Sequence, residues 1–238
     1  MVNVSVITKR ELGTYFLSPI AYVVLTAFAL MQGILFSLSV SPQLDPGMGV
    51  QYAFTIPVYL LVLAAPVLTM RLLSEETSRG TIETLMTAPV TELEVVLGKF
   101  TAALIFAVVM FLPVLGAVAY LRILGPLDAG TVLSSFLGLS LLTGELLAIG
   151  MLCSALTRIQ IASAIMSFAV LIGLYFLWFL GRDSTAAWAR VLRYAAPPWH
   201  YFSFLKGVVD TRDLTYFVVS TGAFLFLTVR ALELRRWR

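Results

Sequence analysis

The chain has 238 residues, of which 60% are hydrophobic and 12% charged, with a formal net charge of +3. A water-soluble globule of that composition would lack the polar surface to cover its core, so the bilayer is the expected solvent. The positive charge flanks apolar runs and forms no basic stripe elsewhere, which speaks for membrane topology and against a nucleic-acid partner. With Cys153 the one cysteine and His200 the one histidine, an intramolecular disulfide and the usual zinc sites are excluded. No catalytic, cofactor-binding or metal-binding residue is expected.

In chain order, residues 1–18 mix Val4, Ile7, Leu12, Tyr15 and Phe16 with Lys9, Arg10 and Glu11, a pattern that predicts a helix lying in the membrane interface. Ser18 and Pro19 then read as an N-cap and a first-turn proline, where the chain bends and a new helix starts. Six apolar stretches follow, at about 19–40, 53–72, 100–121, 132–152, 161–180 and 214–229. Each can cross ~30 Å of hydrocarbon, or nearly so, as a helix of roughly 20 residues. The last is short, and its helix is expected to continue toward Leu232 with Arg230 snorkelling. The runs are continuously apolar, not alternating, which predicts closed helices and not barrel strands. The first run is too long for the apolar core of a signal peptide and is read as a retained span. The expected fold is an all-α integral membrane protein, with residues 1–238 forming a single membrane domain.

Turn chemistry at Pro42, Pro46 and Gly47 predicts a short connection after the first span, Gly125 and Pro126 another, and SALTRIQ from Ser154 a tight turn carrying Arg158. Cations near the span ends are more numerous on the side of the termini, which predicts cytoplasmic termini and a multi-pass protein of the inner (cytoplasmic) membrane. Most opposing cations lie in residues 181–213. That segment is rich in aromatics and predicts extracytoplasmic interfacial or re-entrant helices broken at Pro197 and Pro198.

Residues 74–99, SEETSRGTIETLMTAPVTELEVVLGK, place a charged, interrupted segment between two apolar runs. The second span is expected to continue as a helix past Arg71 to Gly80. Thr81 then caps a short helix with Glu83 near its positive end, Ile82, Leu85 and Met86 form one apolar stripe, and Pro89 stops it. Thr91 and Glu94 have capping-box spacing for the returning helix. The middle helix, about six or seven residues long, is too short to hold its shape alone. The residues by themselves fit a groove on another protein and a hairpin resting on lipid equally well.

Within the spans, Glu145 is either a group lining a translocation path or relaying protons, or a hydrogen-bonded carboxyl locking helices near Ser140, Gly144 and Ala148. His200 reads as an interfacial, aromatic-like side chain; a dyad with Ser203 lacks any oxyanion-hole motif. Pro57, Pro66 and Pro113 are kink sites.

The stretch EETSRGTIETLMTAPVTELEVVLGK resembles the first cytoplasmic loop of ABC-2-type transporter permeases, with its Gly-Thr-x-Glu-x-Leu coupling helix, its proline and its Leu-Gly-Lys return to the membrane. LLAIGMLCSALTRIQIASAI and PPWHYFSFLKGVVDTRDLTYFVVSTGAFLFLTVRALELRRW are most similar to the branch containing gliding-motility-associated and nitrous-oxide-reductase-maturation permeases. The resemblance implies the transmembrane subunit of an ATP-binding cassette exporter, built from two permease copies, identical or different, and two separate ATPase subunits that bind ATP and Mg. By the same resemblance Gly80, Thr81, Ile82, Glu83, Leu85 and Pro89, with Met86 on their stripe, form the ATPase-coupling helix. Residues 1–18 match the family's connecting helix. The resemblance also implies that Trp188, Pro197, Pro198, Trp199, His200 and Phe204 lie in its outer gate. The chain is not itself expected to be an enzyme: its Gly98-Lys99 pair is followed by Phe100, with Leu93 where a P-loop needs its first glycine. The alternative is a stand-alone secondary transporter or channel using Glu145 as its ion or proton site.

Overall fold

The computed structural model describes residues 2–40, 45–78, 91–182 and 187–236. Every regular element among them is a helix. The helices are α1 (Val2–Leu17), α2 (Pro19–Ser39), α3 (Pro46–Thr69), α4 (Ser74–Ser78), α5 (Glu92–Val109), α6 (Leu112–Leu124), α7 (Ala129–Leu156), α8 (Gln160–Arg182), α9 (Ala187–Ala195), α10 (Pro197–Leu205) and α11 (Thr211–Arg236). Among the described residues six segments are long and apolar enough to cross a membrane: Pro19–Ser39, Pro46–Ser78, Glu92–Leu124, Ala129–Leu156, Gln160–Leu180 and Thr211–Leu234. These are the six expected spans; the second, third, fourth and sixth are lengthened at both ends, and the last reaches past Leu232.

Burial sorts them into centre and rim. The fourth span, α7, is 72% buried along its apolar window and the second 61%, whereas the first, fifth and sixth are 17–22% buried. α7 is the axis of the bundle, packed by α3, α5, α8, α10 and α11. Small residues let neighbours approach it: a Cβ on Gly138 would lie 2.6 Å from Phe204 of α10, and one on Gly150 would collide with Thr69 of α3. The tight approaches fall there and not at Gly144, whose nearest neighbour in the same sense is Phe100 at 3.7 Å.

Local signals account for most helix ends. Thr91 and Glu94 form a reciprocal capping box, each side chain bonded to the other's backbone N–H, so two of the four orphan donors at the start of α5 are satisfied. Asp128 caps α7 by accepting from the N–H groups of Gly130 at 3.1 Å and Thr131 at 3.0 Å. The Thr131 hydroxyl and these two N–H groups hold the Asp128 carboxyl below the usual range. Ser18 stands at the N-cap position of α2 with extended backbone but makes no side-chain cap bond. The chain turns there mainly because Pro19 begins a new helix.

Three expectations are corrected. Pro46 and Gly47 are not loop residues; Asp45 caps α3 by accepting from Met48 N at 3.3 Å, and both lie in the first turn of α3, where a proline's missing N–H costs nothing. The second span does not run on as one helix beyond Arg71. α3 ends at Thr69 and the chain makes a turn through Leu73 before α4. The third span is two helices, interrupted at Met110 and Phe111, with Pro113 in the first turn of α6. Proline cannot donate the i→i−4 bond and its ring crowds the preceding turn, so the helix restarts instead of bending smoothly.

Candidate functional site

At one end of the bundle α1 lies across α5 and α4, the two helices that flank residues 79–90. The chemistry holding them is ionic and largely buried. Lys99 of α5 is 2% exposed, and its ammonium bonds Glu11 Oε1 of α1 at 3.0 Å and Glu76 Oε1 of α4 at 2.9 Å. Arg10 adds a second cation, 3.0 Å from Glu11 and 3.7 Å from Glu76. An ammonium this deeply enclosed is tolerable only when paired and hydrogen-bonded, and two carboxylates with Arg10 beside them supply that. Burial pushes the Glu11 carboxyl up, but Lys99 and Arg10 outweigh it and hold the group below the ordinary carboxylate value.

The rest of α1 is fixed to α5 by fit. Thr8 donates to the Gly98 carbonyl at 3.1 Å and meets the Thr101 hydroxyl at 2.8 Å. Asn3 donates to Glu94 at 3.2 Å. A Cβ on Gly98 would stand 2.7 Å from Ile7, so only glycine admits α1 at this distance. Tyr15 stacks on Phe106 with ring centroids 5.0 Å apart and donates to the Leu68 carbonyl at 3.0 Å. α4 is pinned to the bundle axis, because Ser154 of α7 accepts from the N–H groups of Leu73 at 3.1 Å and Ser74 at 3.0 Å. The turn after α3 therefore has its exposed donors satisfied by the central helix. Gly80, Thr81, Ile82, Glu83, Leu85, Met86 and Pro89 lie outside the described residues.

At the opposite end, α9 and α10 are two short helices separated at Ala196, directly before Pro197-Pro198 as the sequence suggests. α10 is packed into the bundle. Phe204 is fully buried beside Gly138, its carbonyl accepts from Ser134 at 2.8 Å, and Tyr201 donates to the Phe54 carbonyl at 2.8 Å. Between α3, α8 and α10 lies an aromatic cleft lined by Tyr59, Tyr175, Trp178, Tyr201 and Phe202, among others. The six residues expected at the outer gate do not share one face. Pro197, Pro198, His200 and Phe204 are buried, while Trp188 and Trp199 are 56% and 46% exposed.

His200 differs from its reading as an interfacial side chain. It is 1% exposed, with Nδ1 2.7 Å from Asp213 Oδ1 and Nε2 2.9 Å from the Tyr194 carbonyl. Its ring stacks on Tyr216 at 3.8 Å. One side chain thus ties α9, α10 and α11 together, and Ser203 takes no part. Nothing in the local pattern around His200 announces Asp213, which lies thirteen residues on across a turn. Glu145 is 1% exposed; its carboxyl faces Ser220 and Tyr216 of α11, and Oε2 has no hydrogen-bond partner among the described residues.

This arrangement defines a multi-pass membrane protein: a six-span helical bundle with an ion-paired helix across one end and two short helices set into the other. The family model described as "ABC-2 family transporter protein" matches residues 13–200, most of the chain. The chain belongs to that family, whose members are permease components of ABC transporters and associate with an ABC ATPase subunit. No curated protein matches it.

Proposed function

We propose that this chain is the transmembrane subunit of an ATP-driven exporter, moved by a separate nucleotide-binding subunit through residues 79–90. The observation that carries the proposal is Lys99, a buried cation shared by Glu11 of α1 and Glu76 of α4. A segment joining α4 to α5 can transmit force only if both of its flanks are rigid, and this ion pair locks them together and to α1.

ATP binding then draws two ATPase subunits together, each gripping a segment that contains Gly80, Thr81, Ile82, Glu83, Leu85, Met86 and Pro89. The motion passes through α4 and α5 into the second and third spans. It produces transport only because the nucleotide state changes the relative energies of two bundle conformations. ATP and Mg sit on the partner, a second permease copy completes the membrane pore, and the termini are cytoplasmic in the inner membrane. The short helices at the far end form the outer gate, with Trp188 and Trp199 on its exposed side and Pro197, Pro198, His200 and Phe204 as its packed base. Glu145, facing α11, belongs to the packing between the central and last spans, where a change in their contact alters the path.

The test is co-purification with the ATPase and assay of the reconstituted complex. Gly80→Pro and Glu83→Arg should leave insertion intact and nucleotide hydrolysis measurable, while abolishing the nucleotide-dependent change in fluorescence of a label placed at the outer end of the bundle. An unchanged response in both variants would refute coupling through this segment.

A further inference from the structure

α9 carries two faces, of which the transport reading uses only Trp188. Winding at about 100° per residue, its sequence AWARVLRYA places Trp188, Val191, Leu192 and Ala195 on one arc and Arg190 with Arg193 on the opposite arc. The apolar arc is only partly covered by the bundle: Leu192 is half-buried and the neighbouring Ala189 is fully buried, but Trp188 is 56% and Val191 68% exposed. Among the described residues the cationic arc is uncompensated. No carboxylate among the described residues pairs with Arg190 or Arg193, and Arg193 instead lies 5.4 Å over the Trp199 ring.

The helix is also held in a fixed place. His200 Nε2 meets the carbonyl of Tyr194 at 2.9 Å and Tyr216 donates to that of Ala195 at 3.0 Å, so α9 sits at the level where the fifth and sixth spans leave the bundle. A tryptophan and a valine turned outward at that level, with two arginines on the reverse side, match the division between acyl chains and headgroups in a bilayer interface. Water on the apolar arc would leave it uncovered. In a zwitterionic headgroup layer each phosphate is already balanced by its own ammonium group, so net-anionic headgroups match the two arginines better.

We infer that α9 is a binding surface for anionic phospholipid in the leaflet opposite α1, with Trp188 and Val191 seated among the upper acyl carbons and Arg190 and Arg193 on headgroup phosphates. The surface would make the outer segment sensitive to the charge of the surrounding lipid.

The test uses the full-length protein in nanodiscs of zwitterionic lipid containing a fixed fraction of brominated phosphatidylcholine or brominated phosphatidylglycerol. The signal of Trp188 is isolated as the difference in fluorescence quenching between wild type and Trp188→Phe. Both brominated lipids should quench Trp188, with the anionic one more effective at equal mole fraction. That preference should fall about five-fold for each of Arg190→Gln and Arg193→Gln and should shrink at high salt. Equal quenching by the two lipids would overturn the inference. So would quenching by aqueous iodide with none by lipid, which marks a solvated face, or protection from both, which marks a protein partner.

Discussion

Replacing Lys99 with methionine tests the clamp between α1, α4 and α5 directly. The side-chain volume is nearly kept, but Glu11 and Glu76 lose a cation at 3.0 and 2.9 Å. Breaking a buried ion pair by deleting one partner costs ~3–5 kcal/mol. Arg10 remains near both carboxylates, and these keep 13% and 20% exposure, so the lower end, about 3 kcal/mol, applies. For a chain of this length that corresponds to a fall of about 6–12 °C in melting temperature. Intrinsic-fluorescence melting of purified wild type and Lys99→Met in one detergent measures it. The decisive comparison is the neutral triple variant Lys99→Met/Glu11→Gln/Glu76→Gln. It removes all three charges together and should recover more than half of the loss, because uncompensated carboxylates, and not lost packing, cause the damage. A single variant that melts within 1 °C of wild type, or a triple variant no better than the single, would refute the reasoning.

Three further outcomes follow from the geometry. Because the Glu11 carboxyl is held below its ordinary value of 4.5, its contribution is fully present above that value and is lost as the pH falls through the lowered one; melting curves taken below pH 4.5 should therefore drop more steeply for wild type than for Glu11→Gln. Gly138→Ala should destabilise by ~1–3 kcal/mol, since the new Cβ meets Phe204 at 2.6 Å in a packed core, whereas Gly116→Ala, with open space around it, should be neutral or stabilising by up to ~1 kcal/mol; thermal melting of the pair checks the contrast. Asp213→Ala should cost ~1–3 kcal/mol by leaving His200 Nδ1 buried without its acceptor, and Asp213→Asn less, because the amide oxygen can still accept; limited proteolysis of residues 181–213 reads the loosening.

Much of the fold is legible in the sequence because one solvent imposes it. Continuous apolar runs can satisfy their backbone in hydrocarbon only as helices, so the six spans stand out without any knowledge of packing. Local punctuation with its own chemistry is equally readable: the Thr91–Glu94 box and the break before Pro197-Pro198 are complete within a few residues. The failures share a cause. Pro46 and Gly47 carry turn chemistry, but Asp45 turns the same residues into the first turn of a helix. Pro113 reads as a kink, and whether it bends or breaks a span depends on how neighbouring helices receive the freed groups. Lys99 is visible as a flanking cation, yet its partners come from positions 11 and 76, brought together only by the tertiary path of α1. His200 is misread for the same reason, since its character is set by Asp213 and by the Tyr194 carbonyl on another helix.

The gap at Met110 and Phe111 gives the third span the character of a two-piece shaft. Its lower piece is bolted to α1, and its upper piece lies along the second and first spans. On the proposed coupling, a stroke delivered to the lower piece would enter the upper one as a change of angle at this joint. Fusing the two pieces would, on that proposal, make the third span tilt as one rod, so the joint sets how much of a stroke at one end reaches the other.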